Sequence, residues 1–438
     1  MKKYRVCIFT PVSFGAAVLM FATAVLMFVA AVLIFATVAV AENAGSGEFV
    51  QLVPAKSISW SVNSKPIAGL VKRGGNAVFT AERNEIAAQS GKGGKEGDTF
   101  LCTEKEYSNF ILQFDVKYDI ECNSGVQFRS SITDINKIEQ LNGYRCEIVP
   151  KNDTANIFDM NRRNRFLTEP TAELQAKINR TFKRDNWNEI TIQCVGPSIK
   201  TWLNGEKISD LFDLESNEGI IGFKIPSGES GQVRWRNIRV KELPVTPWLP
   251  LYAEKKLGAV ETKPVGKWEI LEDGSLKGTT EKGQPKDGMI LSKESYKNFA
   301  VKVSFKIISG NSGLYFRAAE VDKPHWMKGF QCEIATGSAD GDNAGLWEVE
   351  GRGWVARNVK LAKKIFKQNE WNCVGTTAIG DRLVTFLNGW KVVDIVDSKC
   401  AKEGKTGLQL HGGGDQGCLF KEYYIMPLDK NAVELIEK

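Results

Sequence analysis

Three stretches of this sequence alternate apolar and polar residues. Each sets a polar pair two positions apart: Tyr315 with Arg317, Gln331 with Glu333, and Gln409 with His411. Residues two apart in a strand share a face, so Leu314, Phe316, Cys332, Ile334, Leu408 and Leu410 turn the other way. If the three strands are neighbours, the six polar residues form one patch on one sheet. Such a patch offers donors and acceptors for hydroxyl groups and an aromatic plate for an apolar ring face, which is what a sugar requires. The run Ala344-Gly345-Leu346-Trp347-Glu348-Val349-Glu350-Gly351-Arg352-Gly353-Trp354 adds to it. Trp347 and Trp354 suit stacking on sugar rings. Glu348 and Glu350 suit acid–base work, and Arg352 suits stabilising a developing oxyanion. Tyr315, Arg317, Gln331, Trp347, Trp354 and Gln409 are therefore expected to bind substrate, and Glu333, Glu348, His411 and Arg352 to carry chemistry. The alternatives are an ordinary solvated sheet face and a surface hairpin held by a salt bridge. Asp340 and Asp342 lie in a Gly- and Ser-rich loop and give a weak calcium signal. No other cofactor is indicated, and two His in the whole chain exclude a site of three imidazoles.

The elements that must hold these residues are strands. Leu112, Phe114, Val116 and Tyr118 alternate with polar residues, as do Val301, Val303, Phe305 and Ile307. Period two marks half-buried antiparallel strands. Asn204-Gly205 and Asn388-Gly389 lie between strand-like runs and predict two-residue hairpins. Helical patterns are short, around Thr171–Arg180 and Asp429–Glu437.

The pattern occurs twice. Asn123-Ser124-Gly125-Val126-Gln127-Phe128-Arg129 returns as Asn311-Ser312-Gly313-Leu314-Tyr315-Phe316-Arg317. Gly143-Tyr144-Arg145-Cys146-Glu147-Ile148 returns as Gly329-Phe330-Gln331-Cys332-Glu333-Ile334. Trp187-Asn188 and Leu203-Asn204-Gly205 return as Trp371-Asn372 and Leu387-Asn388-Gly389. So long a period is a domain duplication rather than a solenoid. The expected organisation is an export signal or anchor (1–41), a first β-sandwich (49–243), a Pro-rich linker (244–250), a second β-sandwich (251–428) and a tail (429–438). The copies differ at the patch: Lys224 stands for Gln409, Pro226 for His411, Arg145 for Gln331 and Asn161 for Glu350. Arg129, Glu147, Asp159 and Arg163 keep the chemistry of Arg317, Glu333, Glu348 and Arg352. Both His, His325 and His411, are in the second copy, so any reaction is expected there.

The 438 residues carry 58 Lys and Arg against 52 Asp and Glu. Lys2, Lys3 and Arg5 precede an uncharged stretch to Ala41, which ends in the small-x-small signal Ala39-Val40-Ala41. That stretch is long enough to span a bilayer if it is not cut. Export to the periplasm, envelope or medium is expected, with membrane contact only through an uncut leader. Without the leader 55 cations face 52 anions, a balance too even for nucleic-acid binding. Eight Cys remain after the leader, an even number that permits disulfides in an exported chain. Cys146 and Cys332, among apolar neighbours, read as buried thiols.

In order and duplication, N-S-G-x-x-F-R, G-[YF]-x-x-E-I, W-N, L-N-G and a late G-L-Q-L-H-G resemble the 3-keto-disaccharide hydrolase domain family. The resemblance covers nearly all of 42–438, once per copy, and is clearest in the second. It implies an all-β fold of two concanavalin A-like jelly rolls, with sugar handled on the concave sheet. It also implies action on glycosides oxidised at C3. A C3 ketone acidifies the C2 proton, so a base can remove it and expel the C1 substituent, with water added afterwards. Glu333 or His411 suits the base, Arg317 or Arg352 the enolate oxygen, and Glu348 the departing oxygen. Direct hydrolysis by Glu333 and Glu348 is the other chemical route. A non-enzymatic carbohydrate-binding or adhesion protein with two lectin-like modules is the competing class, since tandem modules suit avidity.

Overall fold

The computed structural model describes residues 47–438 except 54–68, 83, 92–96, 151, 229, 254–255 and 337–341. The leader and Asp340 lie outside these residues. The rest folds into four antiparallel sheets, two per copy. Each copy stacks a seven-stranded inner sheet on an eight-stranded outer sheet, with strands close in sequence distributed between the two. The β-sandwich is the one expected from the period-two sequence, and the jelly roll is the form that the family resemblance implies.

The cores show why the alternation matters. In the Phe110–Ile120 strand buried and half-buried residues alternate from Phe110 to Lys117, and the buried set joins the first core with Phe128, Tyr144, Phe223 and Trp235. The second core gathers Val301, Val303, Phe305, Leu314, Phe316, Phe330, Cys332 and Ile334. Burying apolar side chains contributes roughly 1.5–3 kcal/mol each, so a register slip that turned such a strand over would be prohibitive.

Most of the repeated motif residues build the frame. Ser124 and Ser312 donate to the Lys224 and Gln409 carbonyls at 2.7 and 2.6 Å, tying neighbouring strands. Asn188 and Asn372 each fold a turn, their amides donating to the Lys183 and Lys367 carbonyls. Asn204-Gly205 and Asn388-Gly389 have positive φ at both positions, as a two-residue hairpin turn demands. Among the described residues the helices are Ala172–Thr181, capped by Thr171, Val359–Ile365, capped by Asn358, and Lys430–Glu437, capped by Asp429. The middle one has no counterpart in the sequence reading.

The segment read as a linker is packed. The Asn109 side-chain amide donates to the Pro244 carbonyl at 2.6 Å, and Lys302 lies over the Trp248 ring. Three prolines do not stop all pairing here: Leu249–Pro250 forms a two-residue strand against Tyr424 and Ile425. The last helix is docked as well, joining Phe212, Val195 and Phe386 in an apolar cluster between the sandwiches through Ala432 and Ile436. Gln193 of the first copy donates to the Leu435 carbonyl at 2.7 Å. Among the described residues none of the eight cysteines enters a disulfide.

Candidate functional site

The inner sheet of the second copy sets its side chains out as a grid. Across it, Tyr315 lies opposite Gln331, Gln331 opposite Trp347, and Trp347 opposite Trp354. One step along, Glu333 and Gln409 flank Gly313 on its two sides. A Cβ at Gly313 would meet the Gln331 amide at 2.4 Å, so the absent side chain is what lets Gln331 lean across. These rows line a cavity of about 310 Å³ together with Asn311, Val349, His325 and His411. That volume lies at the small end for ligand sites and suits one sugar ring better than an oligosaccharide. Trp347 and Trp354 meet edge to face at 5.1 Å and form its aromatic wall.

Glu333 is the chemically distinctive group. Its residue is 8% exposed, and burial pushes the carboxyl up to about 7. The Asn311 and Gln331 amides oppose that rise, and the charge of Asp342 adds to it. Gln331 donates to Glu333 Oε2 at 2.9 Å. Burial likewise keeps the Tyr315 phenol protonated, with the Asp287 and Glu333 charges in the same direction. Gln409 donates to the Tyr315 oxygen at 3.2 Å and to Asp287 Oδ2 at 2.5 Å.

Seven of the ten expected site residues therefore share the cavity: Glu333, His411, Tyr315, Gln331, Trp347, Trp354 and Gln409. Three do not. Arg317 departs because a β-bulge falls between Phe316 and Ala319 and its own φ is +46°. Simple alternation fails there. The guanidinium is 1% exposed and donates to the Lys297, Gly380 and Ala401 carbonyls. Arg129, with φ +45°, is turned in the same way in the first copy, toward the Ser108 and Gly196 carbonyls. Glu348 departs because its neighbour Trp347 faces the cavity, and adjacent strand residues face opposite sides. It pairs with Arg352, which also binds Asp397 at 2.6 Å. Asp159, Arg163 and Asp213 repeat this arrangement in the first copy, with Arg163 to Asp213 at 2.8 Å. Asp342 pairs with Arg357 at 3.2 Å. Among the described residues no group of three His, Cys, Asp or Glu is placed to hold a metal ion.

The sequence reading missed Asp287, His325 and Asn311 as site residues. Asp287 is buried at the start of the Gly288–Ser292 strand and accepts from Gln409, from His325 Nδ1 at 2.9 Å and from the Gly412 amide at 2.7 Å. No local pattern marks it, since its partners come from two distant segments. A hint was there in His325 being one of only two His.

In the first copy the same grid is filled differently. Gln127, Arg145, Phe158 and Phe166 stand in the row of Tyr315, Gln331, Trp347 and Trp354. The aromatic pair is kept, edge to face at 5.2 Å. The polar centre is neutralised internally: Arg145 binds Glu147 at 2.7 Å, and Lys224 binds Asp98 at 3.2 Å.

The model of the 3-keto-alpha-glucoside-1,2-lyase-like domain matches residues 58–241 and again residues 252–426. No curated protein matches the chain. Among solved structures, two candidate glycosyl hydrolases from Parabacteroides distasonis are 19% and 22% identical. Each covers 42% of this chain and 94% and 100% of its own, with TM-scores of 0.31 and 0.32. The carbohydrate-binding module CBM66 of Bacillus subtilis is 20% identical, over 40% of this chain and 99% of that one, with a TM-score of 0.30. The two family matches together span most of the sequence, and the chain belongs to the 3-keto-alpha-glucoside-1,2-lyase-like domain family, which it carries in two tandem copies.

Proposed function

We propose that the cavity of the second copy binds a glycoside already oxidised to a ketone at C3 and expels its C1 substituent by elimination across C1 and C2. The observation that carries this reading is Glu333, a carboxyl group raised to about 7 in a cavity of carboxamides, imidazoles and tryptophans. A base whose pKa sits near the working pH is both sufficiently ionised and sufficiently basic to take a proton. The C2 proton, acidified by the neighbouring ketone, is the one it takes. The electron pair left at C2 forms the C1=C2 bond as the C1–O bond breaks. The Asn311 and Gln331 amides are the neutral donors nearest the base and suit the enolate oxygen. Trp347 and Trp354 cover the apolar ring face. Addition of water to the product completes a net hydrolysis. The internally paired centre of the first copy supports a bracing role there, and the leader (1–41) suits a substrate met outside the cytoplasm.

The test is incubation of the protein with a 3-keto-glucoside and detection of the released aglycone and the unsaturated 3-keto sugar. Glu333→Gln is expected to lower turnover by about 100- to 10,000-fold. Binding without release in the parent would favour the lectin-like reading, and an undiminished Glu333→Gln variant would remove Glu333 as the base.

A further inference from the structure

We propose that His325, positioned by Asp287, is the acid that protonates the departing C1 oxygen; this rests on the elimination reading above. The copies diverge sharply at the segment that delivers it. In the first copy the long strands Ser124–Ile135 and Ile138–Ile148 meet in a tight turn, with Asn136 and Lys137 both at positive φ. In the second copy the strands end at Glu320 and restart at Met327, and the residues between fold back onto Asp287. Three bonds hold them there. The Asp287 amide donates to the Pro324 carbonyl at 2.9 Å, the Trp326 indole donates to the Asp287 carbonyl at 2.8 Å, and His325 Nδ1 meets Asp287 Oδ2 at 2.9 Å. Lys286 over the Trp326 ring closes the clasp.

The chemistry of the pair follows from hydrogen-bond polarity. The Asp287 carboxylate also accepts from Gln409 and from the Gly412 amide, so every group around it donates. Nδ1 of His325 therefore carries a hydrogen, and Nε2 is the nitrogen free to exchange a proton. The Asp287 side chain is 2% exposed, whereas that of His325 is 37% exposed and lines the cavity. A buried carboxylate behind an imidazole fixes its tautomer and its orientation. His411, with its ring 6.1 Å away, meets the Gly412 carbonyl at its Nδ1, at 2.8 Å, and among the described residues no carboxylate stands behind it. The step balances: the C2 proton passes to Glu333, the C1–O electron pair goes to the departing oxygen, and that oxygen takes the Nε2 proton of the His325 imidazolium. Glu333 then returns its proton to water and His325 regains one.

An acid matters in proportion to the basicity of the group it serves. The experiment compares cleavage of a 3-keto disaccharide, whose sugar alkoxide needs a proton, with that of a 3-keto 4-nitrophenyl glucoside, whose phenolate does not. His325→Gln and Asp287→Asn are expected to lose about 100-fold or more on the disaccharide and less than about 10-fold on the nitrophenyl substrate. Glu333→Gln should lose equally on both. Equal losses on both substrates for His325→Gln would overturn the acid assignment and leave the elimination standing. A parent that cleaves neither substrate would bring down the elimination reading and the assignment with it. Should Asp287→Asn fail to fold, nitrogen NMR of the parent decides the tautomer: Nδ1–H is the expected form, and a neutral His325 protonated at Nε2 alone would overturn the proposal.

Discussion

The Glu333 carboxyl holds its proton up to about pH 7 in the folded protein, against an ordinary 4.5. Between those values the folded chain binds more protons than the unfolded one. The stability Glu333 contributes is then complete below pH 4.5 and is lost as the pH rises through about 7. The loss is on the order of 3 kcal/mol. Thermal melts of the parent from about pH 5 to about pH 8 should show this decline, and Glu333→Gln should flatten it. An unchanged slope in the variant would mean that Glu333 titrates normally. Arg317 makes a different residue-scale prediction. Burial lowers its pKa, yet three backbone carbonyls hold the guanidinium. Arg317→Met leaves those carbonyls unsatisfied and should cost about 3 kcal/mol in denaturant unfolding, with the cavity unaltered.

At the scale of elements, the hairpin of Leu346–Val349 and Gly353–Ala356 carries the tryptophan wall on one face and a salt-bridge clasp on the other. Glu348, Arg352 and Asp397 tie it to the end of the Trp390–Val396 strand, and Arg352 hydrogen bonding holds the Asp397 carboxyl below its ordinary range. The same clasp in the first copy, where the cavity residues are replaced, marks it as part of the frame. Glu348→Gln should therefore cost no more than about 1 kcal/mol of stability. It should leave cleavage of a 3-keto-glucoside nearly unchanged, and a loss of turnover as large as that of Glu333→Gln would return Glu348 to the chemistry.

At the scale of the whole molecule, the two sandwiches meet mainly through their outer sheets, joined by the edge strand Arg165–Phe166 of the first copy's inner sheet, which leaves the inner sheet of the second copy to its cavity. Arg382 binds Asp210 at 3.1 Å across the join, and Arg165 of the first copy lies 3.8 Å from the Trp390 ring centre. The Lys430–Glu437 helix seals the apolar part with Ile436. Ile436→Asp buries a charge there and should cost about 2–4 kcal/mol. Calorimetry should then resolve two unfolding transitions where the parent shows one. A single transition at an unchanged temperature would show that the helix contributes little to holding the copies together.

The sequence by itself determined the strands, the duplication, the Asn-Gly turns and the family. Each rests on local chemistry: period-two burial, the left-handed conformations that Asn and Gly tolerate, and motif order. It also pointed to seven of the cavity residues: alternation assigned the face of Tyr315, Gln331, Glu333, Gln409 and His411, and residue type singled out Trp347 and Trp354. The opposite faces of Trp347 and Glu348 were legible by the same rule. Tertiary structure alone decided the rest. A bulge at Arg317 breaks alternation through one backbone angle that the residue type does not announce. Asp287 and His325 stand 38 positions apart in hydrogen-bond contact, and only sheet pairing and the folded-back segment before Met327 bring them together. Whether a carboxyl group is a solvated surface acid or one held near pH 7 depends on what covers it. For Glu333 that cover is built by strands from several parts of the chain.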